Sequence, residues 1–431
     1  MGLIIVKIDE KKMMKKIVSL TVLIVLAGQL LANHILIPMD EQQKNHLKAY
    51  GLTYWVLEND GKANWLLNYR GGSFSMVYAR EIETECIVRG ISYEIVSDAE
   101  ISLIYDNIAS PAVNMDKVAL EKAPKIAIYA PDEMLPWDDA VALALIYAEI
   151  PHDMIYDKEV IEGKLADYDW LHLHHEDFTG QYGKFYGAYR NAPWYIETKR
   201  KAEADALALG FGKVSELKLF VVMQIKEYVM NGGFLFAMCS ATDTYDVALA
   251  AQNTDICETM FDGDPADPDC QEKLDFSQTL AFTDFTISRN PFEYEFSNID
   301  VPPTRLVQPD NDYFSLFEFS AKWDPVPTML TQNHTAVIKG FMGQTTAFRK
   351  EFIKPEVLIM GQNRKFEEAR YIHGVFGQGF WTFYGGHDPE DYRHYVGDPK
   401  TELKLYPNSP GYRLILNNVL FPAAKKKKQK T

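Results

Sequence analysis

The sequence predicts an α/β protein: a doubly wound, mostly parallel sheet with a small N-terminal α/β unit and a long insertion. Three observations predict it. Short apolar runs such as KIAIYA from Lys125 and FLFAM from Phe234 are bounded by turn signals, as buried strands are. Between them lie DDAVALALIYAEI and SELKLFVVMQIKEYVMN, with apolar residues at helical spacing. Strands that alternate with helices in this way build a parallel sheet, and such sheets place ligands at the carboxyl ends of their strands.

The first segment, 1–32, is expected to be a leader. MKKIVSLTVLIVLAGQLLAN from Met14 has a basic start at Lys15 and Lys16, an apolar stretch from Ile17 to Leu26, and small residues at Ala27 and Ala32 for cleavage. The apolar run is shorter than the ~18 residues that would favour a spanning helix, so export to the periplasm or medium is expected, with no transmembrane span left after cleavage. The charged MGLIIVKIDEKKM before it does not fit a signal peptide, so Met14 is the expected start.

Residues 33–118 form the expected N-terminal unit. GLTYWVLENDGKANWLLNYRG reads as two strands around Asn59-Asp60-Gly61, AREIETECIVRG as a helix, and ISYEIVSD as a strand. The main domain is expected over 119–422. KIAIYA, HDMIYD, DYDWLHLHHEDF and FLFAM are its strands; SELKLFVVMQIKEYVMN opens with capping-box spacing from Ser215 to Lys218, lacks the usual Glu, and stops at Gly232-Gly233. From about 253 to 335 the pattern loosens into Pro, Asp and aromatic residues, an expected insertion. ARYIHGVFGQGFWTFYGGH is a hairpin turning at Gly377-Gln378-Gly379, PGYRLILNNVLF a closing helix, and 423–431 a basic tail.

Composition limits the function. The 431 residues are 47% hydrophobic and 24% charged, an ordinary globular balance. A net charge of −16 argues against a nucleic-acid binder, which would need a basic stripe to neutralise phosphates, so no nucleic acid is expected as partner. Of four cysteines, Cys257 and Cys270 lie close enough in an acidic loop to pair in an oxidising compartment, leaving Cys86 and Cys239.

The chemistry is expected at the strand ends. In GGFLFAMCSATDTYDVALA, Cys239 stands at a strand–helix junction with Ala237 and Ala241 two residues to either side. A nucleophile elbow needs small neighbours there, and the helix start, from Ser240 onward, supplies N–H donors for an oxyanion. The competing reading is a buried structural cysteine. In FWTFYGGHDPEDY, His387 follows the last strand, and Asp388 and Glu390 are close enough in sequence to orient it. In LHLHHEDFTG, His172 and His174 share one face of a strand, while His174, His175, Glu176 and Asp177 approach its end as substrate contacts. His-x-His with carboxylates is a start on a metal site, but no further ligand has convincing spacing, so neither metal nor other cofactor is expected. YGKFYGAYRNAPWYIE, from Tyr182, is dense in rings that suit either stacking on a ligand or loop packing. DGDPADPDC lacks the Gly and Glu positions of a calcium loop, and Gly374-x-x-Gly-x-Gly379 precedes a strand, so it is no dinucleotide fingerprint.

These residues carry a resemblance. With Cys239 on an elbow and His387 beyond a late strand, 119–252 and 335–422 resemble the class I glutamine amidotransferase-like superfamily, and GQGFWTFYGGHDPEDY is similar to its trehalose-utilisation (ThuA-like) branch. The resemblance implies a flavodoxin-like sheet, Cys239 as nucleophile, His387 as base, and Glu390 or Asp388 as orienting acid. The chain departs from amidotransferases in having Ala rather than Gly beside the Cys, and His-Asp-Pro-Glu rather than His-Pro-Glu. As a whole it resembles exported Bacteroidetes proteins commonly labelled asparagine synthetase B. The residues do not support that activity: position 2 is Gly rather than Cys, and no SGGxDS-type ATP loop is present. The expectation is thus an exported Cys-dependent amide (C–N bond) hydrolase. Its rival is a non-catalytic protein on the same fold that binds a small molecule, peptide, carbohydrate or cell-envelope component in the cleft.

Overall fold

The computed structural model describes residues 33–131, 137–301 and 307–425 and arranges them on two sheets. The leader, with its signal-peptide pattern, and the tail beyond Lys425 lie outside the described residues. No helix among the described residues is long and apolar enough to cross a membrane.

The N-terminal sheet contains β1 (Asn33–Ile37), β2 (Ala63–Leu67), β3 (Ser73–Val77), β4 (Glu94–Ser97) and β5 (Asp116–Leu120), all antiparallel in the order β4-β1-β3-β2-β5. One expectation fails here. The segment read as the first strand of a hairpin before Asn59 is a helix, His46–Glu58. Its aromatic and β-branched residues favour a strand locally, but ten of its thirteen residues are buried between elements, and that packing overrides propensity. The helix of AREIETECIVRG is as expected, Arg80–Arg89, closed by Gly90 in the left-handed region.

The second sheet starts with β6 (Ile126–Tyr129), β7 (Asp153–Ile155), β8 (Trp170–Leu173) and β9 (Phe234–Met238). It continues through β10 (Tyr313–Leu316), β11 (Val337–Lys339), β12 (Phe348–Arg349), β13 (Leu358–Asn363), β14 (Glu368–Phe376) and β15 (Gly379–Tyr384). Five strands are parallel, in the order β15-β9-β8-β6-β7, and β14, β13, β10 and β11 extend the β15 edge antiparallel, with β12 pairing β14. By chain order that is the doubly wound 2-1-3-4-5 arrangement, whose switch point lies between β6 and β8. The 253–335 segment is partly a sheet component, since it contributes β10.

Alternation along the parallel strands separates two cores. Ile126, Ile128, Trp170, Phe234 and Phe236 join the N-terminal unit and the closing helix Pro410–Leu420 in one. Ala127, Tyr129, Leu171, Leu173, Leu235 and Ala237 meet the helices Val214–Met230 and Ala241–Ala250 in the other. The N-terminal unit therefore shares its core with the main sheet. Buried Arg413 ties the two further, donating to the carbonyls of Met39 (2.8 Å) and Gly71. The Val214–Met230 helix begins one residue before Ser215; Glu216 accepts from the Lys213 and Gly212 N–H groups and so supplies the missing capping carboxylate. All four cysteines are free and buried, so Cys257 and Cys270 do not pair; the Cys257 thiol instead donates to the Thr179 carbonyl at 3.1 Å.

The His46–Glu58 helix crosses the Ala140–Ala148 helix at Gly51, where an added Cβ would lie 1.7 Å from the Ala148 carbonyl oxygen. Replacing Gly51→Ala is expected to destabilise the protein by about 1–3 kcal/mol or more, read as a lower denaturant midpoint. An unchanged midpoint would contradict the crossing.

Candidate functional site

Register aligns the strand ends. Leu173 of β8 sits beside Tyr129 of β6 and Ala237 of β9, and Met238 beside Tyr384 of β15. The chain therefore leaves all four strands at one level, carrying Trp137, Asp138 and Asp139 after β6, His174–Gln181 after β8, Cys239 after β9, and His387 after β15.

Cys239 occupies the elbow. Its φ is +54°, a left-handed conformation costly for a residue with a Cβ, between β9 and the Ala241–Ala250 helix. The Gln344 N–H donates to Sγ at 3.3 Å, and the N–H groups of Thr345 and Ser240 also favour a negative sulfur. Burial outweighs them: Cys239 is 1% exposed, and its thiol is pushed up to about 11. Beside it Asp243 accepts from the Thr345 hydroxyl at 2.8 Å, and burial pushes its carboxyl up to about 7. The Ser240 hydroxyl is buried without a hydrogen-bond partner.

His387 sits among histidines. Its ring centroid is 4.7 Å from that of His174, 4.2 Å from His175 and 4.4 Å from His394. His174 and His175 stack on one another at 3.7 Å. Neither nitrogen of His387 has a hydrogen-bond partner, so no hydrogen bond joins it to Cys239, Asp388 or Glu390. Burial, then the neighbouring imidazoles, hold its pKa well below the ordinary histidine value, so the ring is neutral. Asp388 instead organises the turn after it, accepting from the Glu390 N–H (2.8 Å) and the Tyr412 hydroxyl (2.8 Å). Glu390 bonds to Ser409.

Two carboxylates at the start of the Ala140–Ala148 helix, Asp138 and Asp139, belong to this cluster. Asp139 Oδ2 lies 3.2 Å from both His172 Nε2 and His174 Nδ1, while Oδ1 caps the next helix by accepting from the Ala142 N–H. Burial pushes the Asp139 carboxyl up, but the two imidazoles outweigh it and hold it well below the usual range. Asp138 Oδ1 lies 3.2 Å from His394 Nε2, and Asp391 Oδ2 lies 3.0 Å from His394 Nδ1. The rule that ligand groups follow parallel strands was available for Asp138 and Asp139, because both follow KIAIYA. His394 carried no such signal.

A cleft opens on the other side of His175. It is lined by Trp137, Tyr182, Phe185, Trp194 and Tyr195 above Glu176, Asp177 and Lys218. Trp137, Phe185 and Trp194 contact one another with centroids 5.4–5.6 Å apart. Lys218 Nζ reaches Asp157 Oδ1 at 3.1 Å and Glu176 Oε2 at 3.5 Å; burial nevertheless pushes the Glu176 carboxyl up to about 7. Asp177 is taken up by its own loop, accepting from the N–H groups of Thr179 (2.7 Å) and Gly183 (2.9 Å). The Trp137 Nε1–H and the Tyr195 hydroxyl are buried without partners.

No protein-family model and no curated protein matches the chain. Among solved structures it is similar to the cytoplasmic protein STM3548 from Salmonella typhimurium, with 11% identity and a TM-score of 0.33 over 70% of this chain and 100% of that one. STM1381 from Salmonella typhimurium LT2 aligns with 12% identity and a TM-score of 0.33, over 70% and 100% of the two chains. Gan42B, a GH42 beta-galactosidase, aligns with 10% identity and a TM-score of 0.26, over 62% of this chain and 28% of its own. Likenesses at this level say nothing about activity, and the site must be read from its own geometry.

A thiol raised to about 11 is almost wholly protonated at neutral pH. Alkylation of Cys239 by iodoacetamide, followed by peptide mass mapping of the native protein, is expected at pH 8 to be about 100-fold slower than in the unfolded chain or slower still. It should accelerate as pH rises toward that value, because only the thiolate reacts. A rate equal to the unfolded chain's would contradict the burial.

Proposed function

We propose that this protein binds a small polar molecule with flat apolar faces, of the carbohydrate class, in the cleft beside the β6/β8 switch point. The aromatic lining above Glu176 carries this reading. Trp137, Phe185 and Trp194 line the cleft, and ring surfaces of this kind suit the C–H face of a sugar. The unpartnered Trp137 Nε1–H and Tyr195 hydroxyl supply directional contacts to ligand hydroxyls. A Glu176 carboxyl that titrates near 7 both donates and accepts around neutral pH, as a hydroxyl-rich ligand requires.

A second reading, C–N bond hydrolysis through Cys239, is favoured by one observation: the left-handed elbow with N–H groups of Ser240, Gln344 and Thr345 around the sulfur. An N–H from the residue after the nucleophile and others from a separate loop make up an oxyanion hole. In that reading the Cys239 sulfur bonds to the amide carbonyl carbon as the C–N bond breaks, the thiol proton leaves with the amine, and water then hydrolyses the thioester. Export, as the leader pattern suggests, suits either reading with a cell-envelope ligand.

The two readings separate on variants of the full chain. In a screen of soluble oligosaccharides by tryptophan fluorescence and calorimetry, a ligand is expected to bind, and Trp194→Ala is expected to weaken it about tenfold or more. Cys239→Ser should leave that affinity unchanged. Absence of any sugar ligand, together with amide hydrolysis that Cys239→Ser abolishes, would replace the first reading with the second.

A further inference from the structure

The cleft does not account for the histidines behind it. His174, His175 and His387 each place a side-chain nitrogen within 4.8 Å of the other two. The polar atoms they face decide which nitrogens are free. His174 Nδ1 faces Asp139 Oδ2 at 3.2 Å, which holds a proton on that nitrogen and leaves a lone pair on Nε2. His175 Nε2 lies 3.0 Å from the Asp138 carbonyl oxygen. A carbonyl only accepts, so Nε2 carries the proton and Nδ1 keeps the lone pair. His387 has no partner at either nitrogen although it is only 5% exposed. His394 differs, because its two nitrogens face carboxylates, Asp138 Oδ1 at 3.2 Å and Asp391 Oδ2 at 3.0 Å.

We propose that His174 Nε2, His175 Nδ1 and one nitrogen of His387 form a site for a divalent transition metal, zinc by preference, with the remaining position open toward the cleft. Three neutral imidazoles are the donor set of a catalytic-type zinc site, and borderline-soft nitrogen donors select first-row metals over calcium or magnesium. Bonds of about 2.0–2.1 Å in a tetrahedron put the nitrogens about 3.3 Å apart, so binding must draw the rings together and open the stack of His174 on His175, now nearly parallel at 3.7 Å. Asp139 and the Asp138 carbonyl are the outer partners that fix tautomer and ring orientation in such sites. The three ligands come from two strand ends, β8 and β15, and are held from a third, β6. His175 lines both the site and the cleft, so an ion there would meet whatever the cleft binds.

The inference stands apart from the cleft's ligand, because it is tested with the metal alone. Full-length protein without a polyhistidine tag is stripped with chelator, loaded with Zn²⁺ or Co²⁺, passed through a desalting column and assayed for metal. About one ion per chain is expected, with Co²⁺ giving the intense visible bands of four-coordination. His174→Gln and His387→Gln are each expected to lower affinity about 100-fold or more, whereas His152→Gln, away from the site, leaves it unchanged. Asp139→Asn keeps the helix cap and is expected to lose about 10- to 100-fold in affinity while still filling at saturating metal. X-ray absorption of the zinc-loaded wild-type protein needs no variant to fold, and should show about three imidazoles at about 2.0–2.1 Å. Failure to retain metal, retention unchanged in both histidine variants, or a coordination shell without imidazoles would each overturn the proposal.

Discussion

The site depends on one constraint, the register that ends β6, β8, β9 and β15 at a common level. Parallel strands cannot slip individually, because a one-residue shift would turn Ile128, Trp170 and Phe236 out of one core and into the other. Fixing that register fixes where the chain may leave the sheet. His174, Cys239 and Gly385 follow their strands directly, and a hydrogen bond from the Ala241 N–H to the His174 carbonyl at 3.0 Å ties two of the exits together. The N-terminal unit supports the site by covering one face of this sheet, packing on the Ala140–Ala148 helix that Asp139 caps, and holding the closing helix through Arg413.

Burial governs the electrostatics that result. Within one edge of the sheet, burial drives His387 and His175 toward the neutral form and raises the Cys239 thiol, the Glu176 carboxyl and the Asp243 carboxyl. Asp139 stays charged because two imidazoles face it. The edge is thus a place of withheld charge, and buried lone pairs without partners are costly unless something binds there. An ion among the histidines and a hydroxyl-rich molecule against the tryptophans would each satisfy groups that the protein alone leaves open.

Much of the fold was legible in the sequence because period and turn chemistry agreed with tertiary packing. KIAIYA, FLFAM and the Gly377-Gln378-Gly379 hairpin formed as their patterns indicate. The exception, His46–Glu58, is a helix whose buried surroundings on several sides erase the amphipathic signal that would have marked it. For the site, motif reasoning located Cys239 and His387 at strand ends but paired His387 with its sequence neighbours. Asp388 and Glu390 turn away to Tyr412 and Ser409, and the rings against His387 are His394, a little further along the chain, and His174 and His175, far away in sequence on the exit of β8. The run LHLHHED placed His174 and His175 side by side, while the third ligand and the orienting Asp139 follow other strands, so no linear pattern could join them.

The most direct test is anomalous diffraction from crystals of the full chain grown with zinc, collected on both sides of the zinc absorption edge. A peak bounded by His174, His175 and His387 is expected, with Asp139 still held against His174. Density for those three rings with no peak between them, or a peak only at surface carboxylates, would contradict it.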